Sequence, residues 1–134
     1  MSVLLEKSKQ SLKVAKLSFD NNYYPSTVNR SYYACLQLML HILFNKLNKD
    51  REEFYNEVRH NPNGGTHIWA SKLIGIELIK KDKDDYKWFQ KNIPEFREKR
   101  VLADYYEDTI SYDDGDFSIK RAESVINLLN KNFN

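Results

Sequence analysis

One stretch of the sequence, residues 28–44, constrains the fold more than any other. Placed on a helix, it carries apolar side chains on every side: Val28, Tyr32, Tyr33, Cys35, Leu36, Leu38, Met39, Leu40, Ile42, Leu43 and Phe44. A helix that is apolar all round lies at the centre of a bundle or in a subunit interface. The chain has only 4 Gly and 3 Pro, which favours long helices over a sheet with many tight turns. The sequence therefore predicts an all-α fold built around this segment.

Length and composition predict one domain over residues 1–134, because 134 residues with 41% hydrophobic content can bury one core. Cys35 is the only cysteine, so these residues can form neither an internal disulfide nor a Cys-based zinc site. No apolar run has the length of a signal peptide or a membrane span. We expect a cytoplasmic protein that needs no metal, cofactor or membrane.

Charge is distributed unevenly, although the net value of +2 is too small to imply nucleic-acid binding. Residues 1–50 carry seven basic and three acidic side chains, a net +4, whereas residues 82–116 carry six and eleven, a net −5. Such a chain can pair head-to-tail with itself or bind a basic partner. The alternative is that the two regions only form solvated helix faces of opposite bias.

Hydrophobic periodicity predicts helices near residues 3–20, 25–48, 66–80, 84–109 and 117–132, and the polar segment 49–65 has room for a short helix around 52–58. Six residues set these boundaries as stop, cap or proline signals: Asn21, Asn22, Pro25, Thr66, Pro94 and Asp116. Pro94 either kinks its helix or opens the second half. The predicted buried stripe of the third long helix comprises Ile68, Trp69, Leu73, Ile76 and Ile79.

Arg100 is the residue that most departs from the expected pattern. The seam of its helix runs Tyr86, Phe89, Ile93 and Phe96, and the next position holds an arginine where a hydrophobe is expected. A charge on a buried stripe is costly unless it is paired, and Asp104, four residues on, lies within reach of an ion pair. One interpretation is an arginine that faces an anion or RNA in a cleft, with Arg97 one turn earlier. The other is a structural clamp between helices.

A second polar stripe, Arg30, Ala34, Gln37 and His41, interrupts the apolar helix. Arg30 and His41 are eleven residues, or roughly 16 Å, apart along the axis, so they cannot act on one phosphate within one chain. A symmetric dimer could bring copies together. The simpler interpretation is that the stripe is the solvent-facing edge of the helix.

Residues 59–67 form a third candidate, in which Gly64 and Gly65 precede a helix start that offers unpaired amides to an anion, with His67 in the first turn. A turn followed by a cap accounts for the same pattern. The acidic cluster Asp113, Asp114 and Asp116 lacks the spacing of a calcium loop. The roles of His41, His60 and His67 stay open.

Three motifs resemble the HEPN family. The segment Asn29-Arg30-Ser31-Tyr32-Tyr33-Ala34 resembles the family's Arg-Ala-Tyr-Tyr-Ala signature, and Thr66-His67 opens the next long helix where small HEPN proteins carry a Ser/Thr-His pair. Residues 100–105, Arg-Val-Leu-Ala-Asp-Tyr, resemble the Arg-x-x-Ala-Asp-Tyr signature of a small stand-alone bacterial branch. The three span most of residues 5–130 in the family's order.

The resemblance implies an up-and-down bundle of four to five helices that dimerises through its central helices. It also implies kinship to ribonuclease toxins that are neutralised by an MNT nucleotidyltransferase and cut RNA without a metal. Those nucleases use an arginine followed, after four to six residues, by a histidine. No histidine follows Arg100, and seven residues separate Arg59 from His67, so the family's pair is not intact.

Two functional classes therefore stay open. In the first, the chain is an RNA-directed HEPN protein, toxin-like, with Arg100, Asp104 and Tyr105 as catalytic candidates. The candidates for RNA contact are Arg97, Arg100, His67 and Arg30. In the second, it is a non-catalytic helical module that forms a dimer or binds a nucleotidyltransferase. The apolar surface of residues 28–44, with Tyr23 and Tyr24, predicts a two-fold homodimer.

Overall fold

The computed structural model describes residues 2–61 and 64–134, and within these ranges it contains six α-helices and no strand. Their bounds are α1 Val3–Asp20, α2 Tyr24–His41, α3 Arg51–His60, α4 Thr66–Lys81, α5 Lys83–Tyr105 and α6 Tyr112–Asn132. A π-helical turn, Ile42–Lys46, extends α2. The predicted all-α bundle is confirmed, with six helices rather than four or five. Pro62 and Asn63 of the predicted loop lie outside the described residues.

Helix α2 lies at the centre, as its all-round apolar sequence predicts. It packs against α1, α4, α5 and α6, and eleven of its residues are buried. Paired contacts show that α1 and α5 each run antiparallel to α2: Ser8 contacts Ala34 while Ser18 contacts Thr27, and Arg100 lies over Tyr32 while Asp104 contacts Asn29. Because its own chain covers α2, the apolar surface of this helix does not require a second copy.

Local capping explains most helix boundaries. Helix α1 begins after Ser2, whose hydroxyl accepts from the Leu5 amide, and ends at Asn21, followed by Asn22 with φ 65°. Pro25 occupies the first turn of α2 as predicted. Helix α5 runs through Pro94 as a single element and ends at Tyr105, four residues before the predicted end.

Two predicted caps are wrong. Helix α6 begins at Tyr112, not 117, because Ser111 and Asp114 form a reciprocal capping box that outcompetes a cap at Asp116. Helix α4 is preceded by Gly65 without a side-chain cap, and Thr66 is its first helical residue rather than its cap. The three-residue spacing of Ser111 and Asp114 is typical of a capping box, so the start of α6 could have been predicted from the sequence.

The predicted buried stripe of α4 is only partly right, because Trp69 and Leu73 are half-buried and pack against the core but the three isoleucines do not. The buried residues are Ala70, Ile74, Gly75 and Leu78, whereas Ile68, Ile76 and Ile79 remain 37%, 47% and 43% exposed. Small side chains at positions 70 and 75 allow close packing, so the bundle buries that face. Three isoleucines are left outside.

The polar stripe of α2 is not a solvent-facing edge, apart from Arg30, which is exposed. Ala34 and His41 are buried, and α1 covers them. Ser8 of α1 and the N-cap Ser2 bond the polar groups beneath: Ser8 Oγ donates to the Ala34 carbonyl at 2.7 Å, and Ser2 Oγ lies 2.5 Å from His41 Nδ1. The stripe is therefore a polar seam between two helices.

No helix in the described part of the chain combines the length and the apolar character needed to cross a bilayer.

Candidate functional site

The site begins with Arg100, a buried cation on α5. Its side chain is 9% exposed, and Nη1 donates to Asp104 Oδ2 at 3.3 Å. The i,i+4 spacing on one helix places the two groups side by side, so the predicted ion pair is confirmed. Burial of a guanidinium that stays charged needs such compensation, since its desolvation costs several kcal/mol.

Asn29 of α2 completes the pair from a second helix. Its Nδ2 lies 3.1 Å from Oδ1 and 2.9 Å from Oδ2 of Asp104. The Asp104 side chain is only 20% exposed. The carboxylate is therefore held between α5 and α2 and orients the guanidinium.

Aromatic rings surround the arginine. The guanidinium carbon lies 5.5 Å from the ring centre of Tyr32, 5.7 Å from Tyr33 and 5.9 Å from Tyr105. Electron-rich ring faces at this range stabilise a cation. Arg100 Nε is itself buried and has no hydrogen-bond partner among the described residues, so the ion pair and the rings are the contacts that stabilise this cation.

His67 joins this group from the first turn of α4. Its ring stacks on Tyr32 with centroids 5.5 Å apart and planes 9° apart, and it meets Tyr33 edge-on at 5.7 Å. His67 Nδ1 lies 3.1 Å from the Tyr32 hydroxyl. This contact fixes the ring and leaves Nε2 without a hydrogen-bond partner among the described residues.

We call these residues the arginine cluster: Asn29, Tyr32, Tyr33, His67, Arg100 and Asp104. The pKa of His67 is lowered, first by desolvation and then by the charges of Arg100 and Arg97. Burial raises the pKa of the Tyr32 hydroxyl, against the opposing effect of the same two arginines. The cluster thus contains a neutral imidazole and a protonated phenol beside a permanent cation near pH 7.

The other predicted site residues lie at the edge of the cluster or away from it. Arg97 is half-buried and acts on His67 and Tyr32 only through its charge. Tyr105 contacts Arg100 but is 74% exposed. Arg30 is exposed, and within the described residues no contact joins it to the cluster. His60 is exposed on α3, where its Nδ1 bonds the Asn56 carbonyl at 2.8 Å.

Sequence reasoning missed Asn29, Tyr32 and Tyr33 as members of the site, although all three belong to the first HEPN-like motif. Adjacent tyrosines on a central helix are equally typical of a hydrophobic core, and Tyr32 is indeed only 1% exposed. The motifs at 29–34 and 100–105 both contribute residues to the cluster. Their joint occurrence in the sequence could have indicated that Asn29, Tyr32 and Tyr33 belong to the site.

No family model, curated protein or solved structure matches this chain. Within residues 2–61 and 64–134, no group of three or more His, Cys, Asp or Glu side chains is arranged to hold a metal ion.

The lowered pKa of His67 predicts a pH-dependent stability. An unfolded chain protonates this histidine below about pH 6.5, whereas the folded state resists the proton, so stability present above that pH is lost as pH falls. We expect His67→Gln, which can still bond Tyr32, to lose less stability than the wild type between about pH 7.5 and about pH 5.5. Urea denaturation at both pH values measures this. Equal losses in the two proteins would contradict it.

Proposed function

We propose that this chain is an HEPN-family RNA-directed protein, ribonuclease-toxin-like, that acts through the arginine cluster. The observation that carries the proposal is the position of His67. It stacks on Tyr32, and the guanidinium carbon of Arg100 lies 5.5 Å from the centre of the same ring. The imidazole that the sequence lacks after Arg100 is thereby supplied by a different helix, from the Thr66-His67 motif.

The charges of the cluster suit a phosphate. Arg100 and Arg97, at the edge of the cluster, contribute two positive charges, and Asp104, which is paired with Arg100, contributes one negative charge, so the net charge is +1. The first turn of α4, which contains His67, has no side-chain cap, so its peptide amides add a positive dipole end there. A phosphodiester at the edge of the cluster would meet the half-buried Arg97, with the charge of Arg100 behind it.

Metal-independent RNA cleavage is the reaction that these groups support best. Neutral His67 takes the proton of a ribose 2′-hydroxyl, and the 2′-oxygen attacks the adjacent phosphorus. The bond from phosphorus to the 5′-oxygen breaks, that oxygen takes a proton from water, and the hydroxide that remains takes the proton held by His67. The products are a 2′,3′-cyclic phosphate and a 5′-hydroxyl end, while Arg100 and Arg97 stabilise the charge that develops on the phosphoryl oxygens.

Expression in a bacterial host tests this proposal. We expect the wild type to slow growth and degrade RNA, and Arg100→Ala to do neither. Arg51→Ala is the matched control, because Arg51 also lies over an aromatic ring, that of Phe44 at 5.8 Å, but on α3. If the wild type leaves growth and RNA intact and purified protein binds no RNA, the proposal fails.

The alternative function is a non-catalytic helical module that forms a homodimer or binds an MNT-type nucleotidyltransferase. The three exposed isoleucines of α4 favour it, because isolated domains rarely expose several large apolar side chains on one helix face. RNA binding that depends on Arg100 distinguishes the two functions, since only the RNA-directed protein requires it.

A further inference from the structure

Helices α4 and α5 form an open apolar groove of about 560 Å³. Its floor includes Phe89 and Ile93, which are buried, and Gly75, which is also buried and faces Tyr86. A Cβ at position 75 would lie 3.5 Å from the Tyr86 ring. A methyl group at this position would make ordinary van der Waals contact with Tyr86, and glycine leaves that space open.

One wall of the groove is the exposed apolar stripe of α4. Ile68, Ile76 and Ile79 fall within an arc of about 80° at 100° per residue, and they span roughly 16 Å of helix. This length corresponds to about three helical turns, so an amphipathic helix with anchors at i, i+4 and i+7 fits beside it.

The charges at the rim all have one sign. Lys72, Lys80 and Arg97 line the groove, and the described lining residues include no Asp or Glu. Lys72 Nζ lies 5.7 Å from the Trp69 ring centre, away from the floor, and Lys80 is exposed. Glu77 pairs with Lys80 at 3.4 Å and offsets part of that charge. An occupant with an apolar face bordered by carboxylates complements both the floor and the rim.

We propose that this groove is a docking surface for an amphipathic helix of a partner protein with an acidic border. Its apolar face covers the three isoleucines, and its Asp or Glu side chains meet Lys72, Lys80 and Arg97. The proposal is independent of RNA cleavage, although Arg97 lies at both the groove and the arginine cluster.

Two synthetic helical peptides of about 18 residues, or about five turns, test the proposal. Both carry one leucine face, bordered by Glu in the acidic peptide and by Lys in the basic peptide. We expect the acidic peptide to bind the full chain in a fluorescence-anisotropy titration, and the basic peptide to bind at least about tenfold more weakly. Higher salt weakens the acidic complex.

Variants locate the binding. Ile76→Glu places a carboxylate in the groove wall and should weaken the binding of the acidic peptide at least about tenfold. The control Leu17→Glu changes a side chain that is 54% exposed on α1 and should bind as the wild type does. Circular dichroism checks that both variants fold, and RNA binding by Ile76→Glu should be unchanged, which separates this proposal from the RNA proposal.

Three outcomes overturn the docking surface. The first is equal affinity for the two peptides, and the second is unchanged binding by Ile76→Glu. The third is a wild-type dimer in sedimentation that Ile76→Glu converts to a monomer, because the occupant is then a second copy of this chain.

Discussion

Arg100→Met is expected to lower the free energy of unfolding by about 3 kcal/mol, the lower end of the range for breaking a buried ion pair. The substitution keeps much of the side-chain volume but leaves the Asp104 carboxylate, 20% exposed, without its cation. Asn29 still bonds that carboxylate, which is why we expect the lower end. Urea denaturation at about pH 7 measures the change.

The double variant Arg100→Met/Asp104→Leu shows whether the loss comes from the stranded charge. Removing both partners leaves no buried charge unpaired, so the loss should be less than half that of the single variant. Lys120→Met breaks an ion pair of the same spacing with Asp116 on the surface, with the lysine side chain 73% exposed. That control should leave the free energy of unfolding nearly unchanged, because water screens an exposed ion pair. Equal losses for the single and double variants would show that the pair does not stabilise the fold in this way.

His67→Ala is expected to reduce RNA cleavage by about 10²–10⁴-fold, the usual contribution of a general base. Because Arg97 and Arg100 remain, RNA affinity should change by less than about threefold. Single-turnover cleavage of a labelled RNA gives the rate, and anisotropy gives the affinity. Loss of a purely structural histidine would not lower the cleavage rate while leaving the RNA affinity unchanged.

The matched control is His60→Ala, because His60 is an exposed histidine whose ring bonds a backbone carbonyl of its own helix. It should cleave at the wild-type rate. The wild-type rate should also fall as pH drops through the lowered pKa of His67, since only the neutral ring accepts a proton. Cleavage by His67→Ala at the wild-type rate would remove His67 from the mechanism.

Helices with one clear pattern were predicted well from the sequence. Helix α1 matches its predicted bounds of 3–20, because Asn21 and Asn22 end it locally. The seam of α5 was predicted through Phe89, Ile93, Phe96 and Arg100, which are all buried. Its ion pair followed from the same i,i+4 spacing. These features depend on neighbours within about one turn, so the sequence contains the necessary information.

Features that depend on other helices were not predictable in this way. Helix α4 is apolar on more than one face, and only packing against the bundle decides that Ile74 is buried while Ile76 is exposed. The pattern of α2 predicted a solvent-facing polar stripe, but Ser8 of α1 and the N-cap Ser2 form hydrogen bonds with it. Those partners are far away in sequence, since Ser2 and His41 are 39 positions apart.

The arginine cluster combines both kinds of information. Sequence alone determined that Arg100 would lie on a buried seam with Asp104 beside it, since helix geometry makes residues four apart neighbours. Only the tertiary structure decided that Asn29 would hold the carboxylate and that His67 would stack on Tyr32, 35 positions away. Helical periodicity specifies which residues share a face, whereas the packing of one helix on another selects the residues that meet across it.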